Sequence, residues 1–437
     1  MSGVEIGAAA IAALIALIAL GMPIGIGMII VSFAGVTLIR NDAVAMRMIG
    51  AVANDSLREY LFAVVPLFVL MGLLVTVSGV GKDTFDLFER LLRRMRAGLG
   101  VATVFANAVF ASITGISIAS ASVFSRVAVP EMTRHGYTRS FATGVVAGSS
   151  VLGMLIPPSL LMIVYAVLAE ESVGRMFLAG VGPGLLLAVM FSITIILMAT
   201  FAPKSVFDRE SVIESAGMVS LWEVLPKGVP IVVLVMLVLG GIYGGFLNPT
   251  EAGAVGALGA LVIALMRRSL TRSSFWSLLV ETGQVTVSVL FLIMAATFFS
   301  RMLAMSGLPN ALAESLLSGP IGPYGFLILF IALVIVLGFL IDSISIMLIL
   351  LPIALPIASA AGFDLIWFGV MTVIAVEIGL LTPPFGLSVY TIKSAMDDKT
   401  LKVGEIFRGA FPFVVTMLVV LVIIAIFPGI ATWLARL

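Results

Sequence analysis

Apolar stretches of membrane-spanning length follow one another along almost the whole chain, and charge collects in the gaps between them. They fall at 5–21, 23–39, 60–80, 100–130, 141–169, 175–201, 228–247, 250–266, 275–302, 322–358, 364–395 and 404–434. A span of the hydrocarbon core takes about 20 apolar residues. Lipid offers backbone groups no hydrogen bonds, so such segments must satisfy their own as helices. The fold class expected is an all-α polytopic membrane protein. Composition agrees: 61% of residues are hydrophobic and 11% charged. That is too little charge to cover a soluble surface. The absence of cysteine excludes disulfides and thiolate chemistry, and His135, the only histidine, excludes a multi-histidine metal site. The start shows neither a basic region nor a small-residue cleavage site, so no removable signal peptide is expected.

Three stretches, 100–130, 322–358 and 364–395, are too long for one span, and 141–169 contains Pro157-Pro158. Rich in Gly, Ser and Pro, they predict re-entrant hairpins and broken helices, which survive in a membrane only where protein buries them or they line a cavity. Residues 83–98 differ, with apolar side chains at 85, 88, 91, 92 and 95 opposite a charged face. That spacing predicts an amphipathic arm helix lying at the membrane surface.

The chain repeats itself at a constant offset of 226 residues. Pro23, Gly27, Ser117, Pro130, Gly153 and Pro157-Pro158 match Pro249, Gly253, Ser343, Pro356, Gly379 and Pro383-Pro384. Ser78-Gly79 and Phe177 match Ser306-Gly307 and Phe407 after small shifts. The first repeat therefore covers 1–201, with scaffold helices, the arm helix 83–98, a hairpin at 100–130 and a broken helix at 141–169. A charged linker covers 202–227, and the second repeat covers 228–437, with a hairpin at 322–358 and a broken helix at 364–395.

Basic residues set orientation. Placing Lys82 to Arg96, Arg126, Arg134, Arg139, Lys204, Arg209, Lys227, Arg267, Arg268, Arg272, Lys393, Lys399, Lys402 and Arg408 inside puts 18 of the 24 Lys and Arg on the cytoplasmic side. It leaves Arg40, Arg47, Arg58, Arg175, Arg301 and Arg436 elsewhere. The repeats are then inverted, a common transporter architecture.

Chemistry concentrates where the repeats match. Each hairpin has a small, polar centre: Ala111 to Ser120 in the first, Gly338 to Ser345 in the second. Each broken helix carries its Pro-Pro pair within Gly148 to Ser159 or Glu377 to Ser388. Proline lacks an N–H and interrupts the helical ladder. The freed carbonyls need partners, and a small cation supplies them, with Ser, Thr and Gly at the tips adding oxygens. Each half can thus build one oxygen-lined cation site; the alternative is plain packing of small residues beside a kink. Asp342, inside an apolar run, is the most informative acid. It binds a cation or hairpin amides, or else caps a helix start open to water. Glu377 and Glu251 are weaker candidates that could pair with basic residues at helix ends. Gly115-Ile116-Ser117 superficially matches the Gly-x-Ser of an intramembrane serine protease, but the sole histidine falls in a basic surface loop, so no enzyme is expected.

With these motifs in hand, the chain resembles the large membrane subunit of tripartite ATP-independent periplasmic (TRAP) transporters, the DctM type. The resemblance covers nearly the whole chain. It is strongest over Phe110 to Tyr137, Gly148 to Leu187, Gly240 to Ala254 and Gly338 to Leu387. Ile118 and Val123 depart from it, standing where smaller residues are expected. The resemblance implies an elevator-type transporter in the bacterial inner membrane, taking up a small organic acid with Na⁺ as coupling ion and no other cofactor. It implies two partners, a small four-helix membrane subunit and a periplasmic substrate-binding protein. It implies one sodium site at Ser112, Thr114, Ser117, Gly153, Ile156 and Pro158, and another at Gly338, Asp342, Ser343, Gly379, Thr382 and Phe385. Ser117, Ser120, Pro157, Ser343 and Pro383 would border the substrate. The alternative is a self-sufficient sodium/carboxylate symporter of related inverted-repeat fold.

Overall fold

The computed structural model describes all residues except 93, 209–220, 385, 397, 399 and 437, and omits the side chains of 61 and 221–225. Among the described residues the only β pairing is an isolated bridge between Tyr137 and Phe207. Six helices are long and apolar enough to cross a membrane, and up to nine when each of three bent helix pairs counts as one span.

The first half opens with α1 (Gly3–Ala19), α2 (Ile24–Ile39), α3 (Asp42–Arg58), α4 (Val64–Val77) and α5 (Val80–Leu92). Helix α3 fills a gap between the apolar stretches. It is capped by the Asn41 side chain on Val44 N–H and buries only Ala45 and Val52. The hairpin follows as α6 (Gly98–Thr114) and α7 (Ser117–Arg134), then the broken helix as α8 (Arg139–Ser150), α9 (Leu152–Leu155) and α10 (Leu160–Leu168). After α11 (Val173–Phe201) and α12 (Pro203–Val206) the second half runs α13 (Leu221–Tyr243), α14 (Pro249–Met266), α15 (Arg272–Ser306) and α16 (Leu308–Leu317). Its hairpin is α17 (Gly322–Gly338) and α18 (Ser343–Ala360), and its broken helix is α19 (Leu365–Leu381) and α20 (Leu387–Met396). Helices α21 (Val403–Ile426) and α22 (Gly429–Thr432) close the chain. Helix α13 starts at Leu221, inside the stretch expected to be linker, and most of that stretch, with Arg209, lies outside the described residues.

The duplication recurs in local geometry. Helix α4 gives way to α5 at Ser78-Gly79, where Ser78 donates to Val75 O and accepts from Val80 N–H, and Gly79 has φ +76°. Helix α15 gives way to α16 at Ser306-Gly307, with the same bonds to Leu303 O and Leu308 N–H and φ +74°. Ser117 and Ser343 each begin the second helix of a hairpin. Both Pro-Pro bonds are cis.

The first part of α5's apolar face packs on the first hairpin, while Leu91 farther along stays exposed. Phe85 is buried, Phe88 stacks on Phe105 at 5.9 Å, and a Cβ at Gly81 would lie 2.7 Å from Val123. The amphipathic spacing matches what the sequence predicts, and the first hairpin covers the start of the apolar face. The helix also ends at Leu92, with Arg93 outside the described residues. On its charged face Asp83 pairs with Arg267 and Asp86 with Lys227 at 3.4 Å. The arm is thus fastened to the start of α13 and the end of α14.

Charges sort by end of the molecule. Arg301–Asp55, Arg175–Glu171 and Arg436–Asp364 use arginines left out of the cytoplasmic group. Arg267–Asp83, Lys227–Asp86 and Arg139–Asp398 use basic residues placed inside. The densest packing surrounds the hairpins and broken helices, where Phe110, Phe124, Phe141, Phe191 and Phe413 are fully buried. Gly144 and Gly409 bring α8 and α21 together backbone to backbone, as small residues do between helices in membranes.

Candidate functional site

The first tip is built by Gly115. It ends α6 in the left-handed region at φ +63°, which glycine adopts without a Cβ penalty. A Cβ there would lie 2.5 Å from the Pro158 carbonyl oxygen. Gly115 O instead accepts from Leu160 N–H at 3.3 Å, bridging the tip to the far side of the break. A Cβ on Gly153 would lie 3.2 Å from Ser117 N. The tip residues Gly115 to Ser117 therefore sit between Gly153 and Pro158. Helix α4 closes the other side, with Gly72 against the Thr114 carbonyl, a contact the sequence reading missed.

The Ser112 and Thr114 hydroxyls donate to Val109 O (2.7 Å) and Phe110 O (3.2 Å) within their own helix. Their lone pairs remain as acceptors. Pro157 and Ser120 are buried, and the Ser120 hydroxyl has no hydrogen-bond partner among the described residues.

The second tip is arranged differently. Helices α17 and α19 cross at Gly338 and Gly379, where a Cβ on Gly338 would lie 2.6 Å from Gly379 Cα. Asp342 is exposed and caps α18: Oδ1 accepts from Ser345 N–H at 3.1 Å and Oδ2 from the Ser345 hydroxyl at 2.5 Å. Of the two roles left open for it, helix capping is the one with partners in place. The Thr382 hydroxyl donates to Ile378 O at 2.6 Å. Pro383 is exposed, unlike Pro157, and Phe385 lies outside the described residues.

Both tips face one cavity of ≈ 420 Å³. Ile116 to Ala119 line it from the first hairpin, and Asp342, Ser343 and Ile344 from the second. Helix α4 adds Val69, Leu73 and Thr76, and α15 adds Glu281 and Val285. Ser388 and Leu387, at the start of α20, complete the polar side. Of the residues expected to border the substrate, Ser117 and Ser343 line this cavity, and Ser120, Pro157 and Pro383 do not. A second recess shares Ser122 and Leu387 with it and runs past Arg126 and Tyr390 to Ser394. Glu281, Ser388 and Arg126 were missed in the sequence. Arg126 and Ser388 fall opposite Pro352 and Met162 at the 226-residue offset, but Glu281 falls opposite another acid, Asp55, and that match and its place on an apolar helix could have marked it.

The remaining acids separate. Glu251 forms a capping box with Asn248 at the start of α14. Glu377 is 1% exposed, and neither carboxylate oxygen has a hydrogen-bond partner among the described residues. His135 lies beside Glu131 at the end of α7, 3.3 Å away, and does not reach the cavity.

A helical membrane protein in which two hairpin tips and two broken helices enclose one cavity has the construction of a transporter. The family described as "Tripartite ATP-independent periplasmic transporter, DctM component" matches residues 11–430. The chain belongs to this family and is a multi-pass large permease of the TRAP class. It is 34% identical over 380 residues to the C4-dicarboxylate TRAP transporter large permease of Pseudomonas aeruginosa, covering 86% of each chain. It is 31% identical over 412 residues to the sialic acid TRAP transporter large permease of Vibrio cholerae, covering 93% of each. These relatives are transporter permeases. In fold it is similar to the YdaH transporter of Alcanivorax borkumensis, with a TM-score of 0.58 at 15% identity, over 84% of this chain and 86% of that one.

Proposed function

We propose that this chain is the permease of a sodium-coupled importer that carries a small organic acid across the bacterial inner membrane by an elevator movement. What carries this reading is the single cavity bounded by both hairpin tips on one side and by α4 and α15 on the other. In it the hairpins and broken helices form the moving body, and α4 and α15 belong to the scaffold. Two sodium ions bind behind the tips. The first uses oxygens of Ser112, Thr114, Ser117, Gly153, Ile156 and Pro158; the second uses Gly338, Asp342, Ser343, Gly379, Thr382 and Phe385. Ser117 and Ser343 face the substrate. With the basic residues inside, the recess past Arg126 opens to the cytoplasm, so the cavity is in its inward-facing form. A small four-helix membrane subunit accompanies the permease, and a periplasmic binding protein delivers the substrate.

The chain contains no cysteine, which makes cross-linking clean. Val285→Cys on α15 and Ile344→Cys at the second tip face the same cavity. Joining them with a bifunctional maleimide is expected to arrest uptake, while either single variant still transports after treatment. Undiminished uptake by the cross-linked protein would rule out movement of this tip past α15.

A further inference from the structure

The cavity is electrostatically lopsided. Helix α7 begins at its wall, and no side chain caps that start. The first N–H groups of a helix lack intrahelical partners and carry the positive end of its dipole. Two hydroxyls line the same cavity. Ser117 is 1% exposed, and Ser388 is buried with no hydrogen-bond partner among the described residues, though both line the cavity. The opposite tip is already supplied with an anion, because the Asp342 carboxylate occupies the start of α18. From the scaffold side, Glu281 is exposed on the same cavity. No Lys or Arg lines it among the described residues. Arg126 in the adjoining recess is nine residues along α7 from Ser117, roughly 13 Å at 1.5 Å per residue.

We infer that the transported species carries one carboxylate, held at the start of α7 by its free N–H groups, Ser117 and Ser388, and that its other end offers hydrogen-bond donors or positive charge to Glu281. The inference rests on reading this cavity as the transport site. A sodium ion at the second tip would answer Asp342, but it leaves Glu281 for the substrate. A second carboxylate placed there meets a like charge in a confined space, which costs affinity. Glu281 is then a specificity-determining residue on the scaffold, and the substrates it rejects are linear dianions.

The test uses the full-length permease in lipid nanodiscs, with binding measured by calorimetry in sodium. The probes are gluconate (one carboxylate and hydroxyls), ectoine (one carboxylate and a cationic ring) and succinate (two carboxylates). Gluconate or ectoine is expected to bind at least about tenfold more tightly than succinate, a ratio worth about 1.4 kcal/mol. The tighter of the two tells whether hydroxyls or charge answer Glu281, and either supports the inference. Glu281→Gln is expected to close most of that gap by strengthening succinate, and Ser388→Ala to weaken every probe at least about tenfold, as loss of one hydrogen bond to a charged group does. Succinate binding as tightly as the other two, a gap unchanged in Glu281→Gln, or probes indifferent to Ser388→Ala would overturn this assignment alone. Absence of sodium-dependent binding by all three would instead overturn the reading of the cavity as the transport site.

Discussion

The carbonyl of Gly115 and the N–H of Leu160 meet at 3.3 Å, tying the tip of the first hairpin to the helix that resumes after Pro157-Pro158. The bond joins residues far apart in sequence and holds the tip against the break. Replacing Gly115 by Ala puts an L side chain in the left-handed region, at about 1–2 kcal/mol. It also drives the Cβ to 2.5 Å from Pro158 O. The variant is expected to insert into membranes, melt at a lower temperature than the parent in detergent, and lose uptake. Normal uptake by Gly115→Ala would show that the tip need not sit so closely on the break.

In the second half the corresponding approach is between Gly338 and Gly379. A methyl group at 338 would stand 2.6 Å from Gly379 Cα, so α17 and α19 must separate. If the second sodium site lies at this crossing, Gly338→Ala raises the sodium concentration needed for half-maximal uptake by more than it raises the concentration of organic acid needed. A titration of uptake against sodium and against substrate distinguishes the two.

Asp342 allows capping and cation binding to be told apart. Asparagine caps a helix as well as aspartate does, whereas alanine costs about 0.5–2 kcal/mol of stability. Asp342→Asn should keep the melting temperature of the parent and Asp342→Ala should lower it. Both are expected to lose sodium-driven uptake, because both remove the negative charge. Retained sodium activation in Asp342→Asn would leave capping as the residue's whole contribution.

The arm helix gives a further prediction. Asp83 and Arg267 are paired across α5 and α14, and both are partly shielded from solvent. Reversing Asp83 alone to Arg should slow uptake through like-charge repulsion, and reversing both partners should restore it. A single exposed pair contributes only about 0–1 kcal/mol to stability, so the readout is uptake rather than melting. Failure of the double reversal to recover would remove the pair from the coupling between arm and scaffold.

The features legible in the sequence were those that backbone chemistry forces. A Pro-Pro pair inside a membrane helix needs a polar neighbour, and the tip residues Gly115 to Ser117 lie against the first such break. What escaped depends on tertiary neighbours. The pattern of α5 shows an apolar face but not what covers it, and only the fold reveals Phe105, Phe110 and Val123 beneath it. Helix α3 was passed over because its charges break the apolar run, although Asn41 marks its start. The apolar sequence neighbours of Asp342 leave both a cation ligand and a water-exposed helix cap open, and only the hairpin turn shows it exposed at the cavity. Ser388 has no serine opposite it in the repeat, and Glu281, opposite Asp55, lies outside the hairpins and broken helices where the repeat matches concentrate.

The central claim is that the two tips and their breaks couple an organic acid to sodium. It is tested most directly by rebuilding the permease with its small subunit in vesicles, supplying the cognate binding protein with labelled substrate outside, and imposing or omitting an inward sodium gradient at constant membrane potential. Concentrative uptake is expected with the gradient, none without it, and none in either case for Asp342→Asn. Equal accumulation in the absence of a sodium gradient would contradict it.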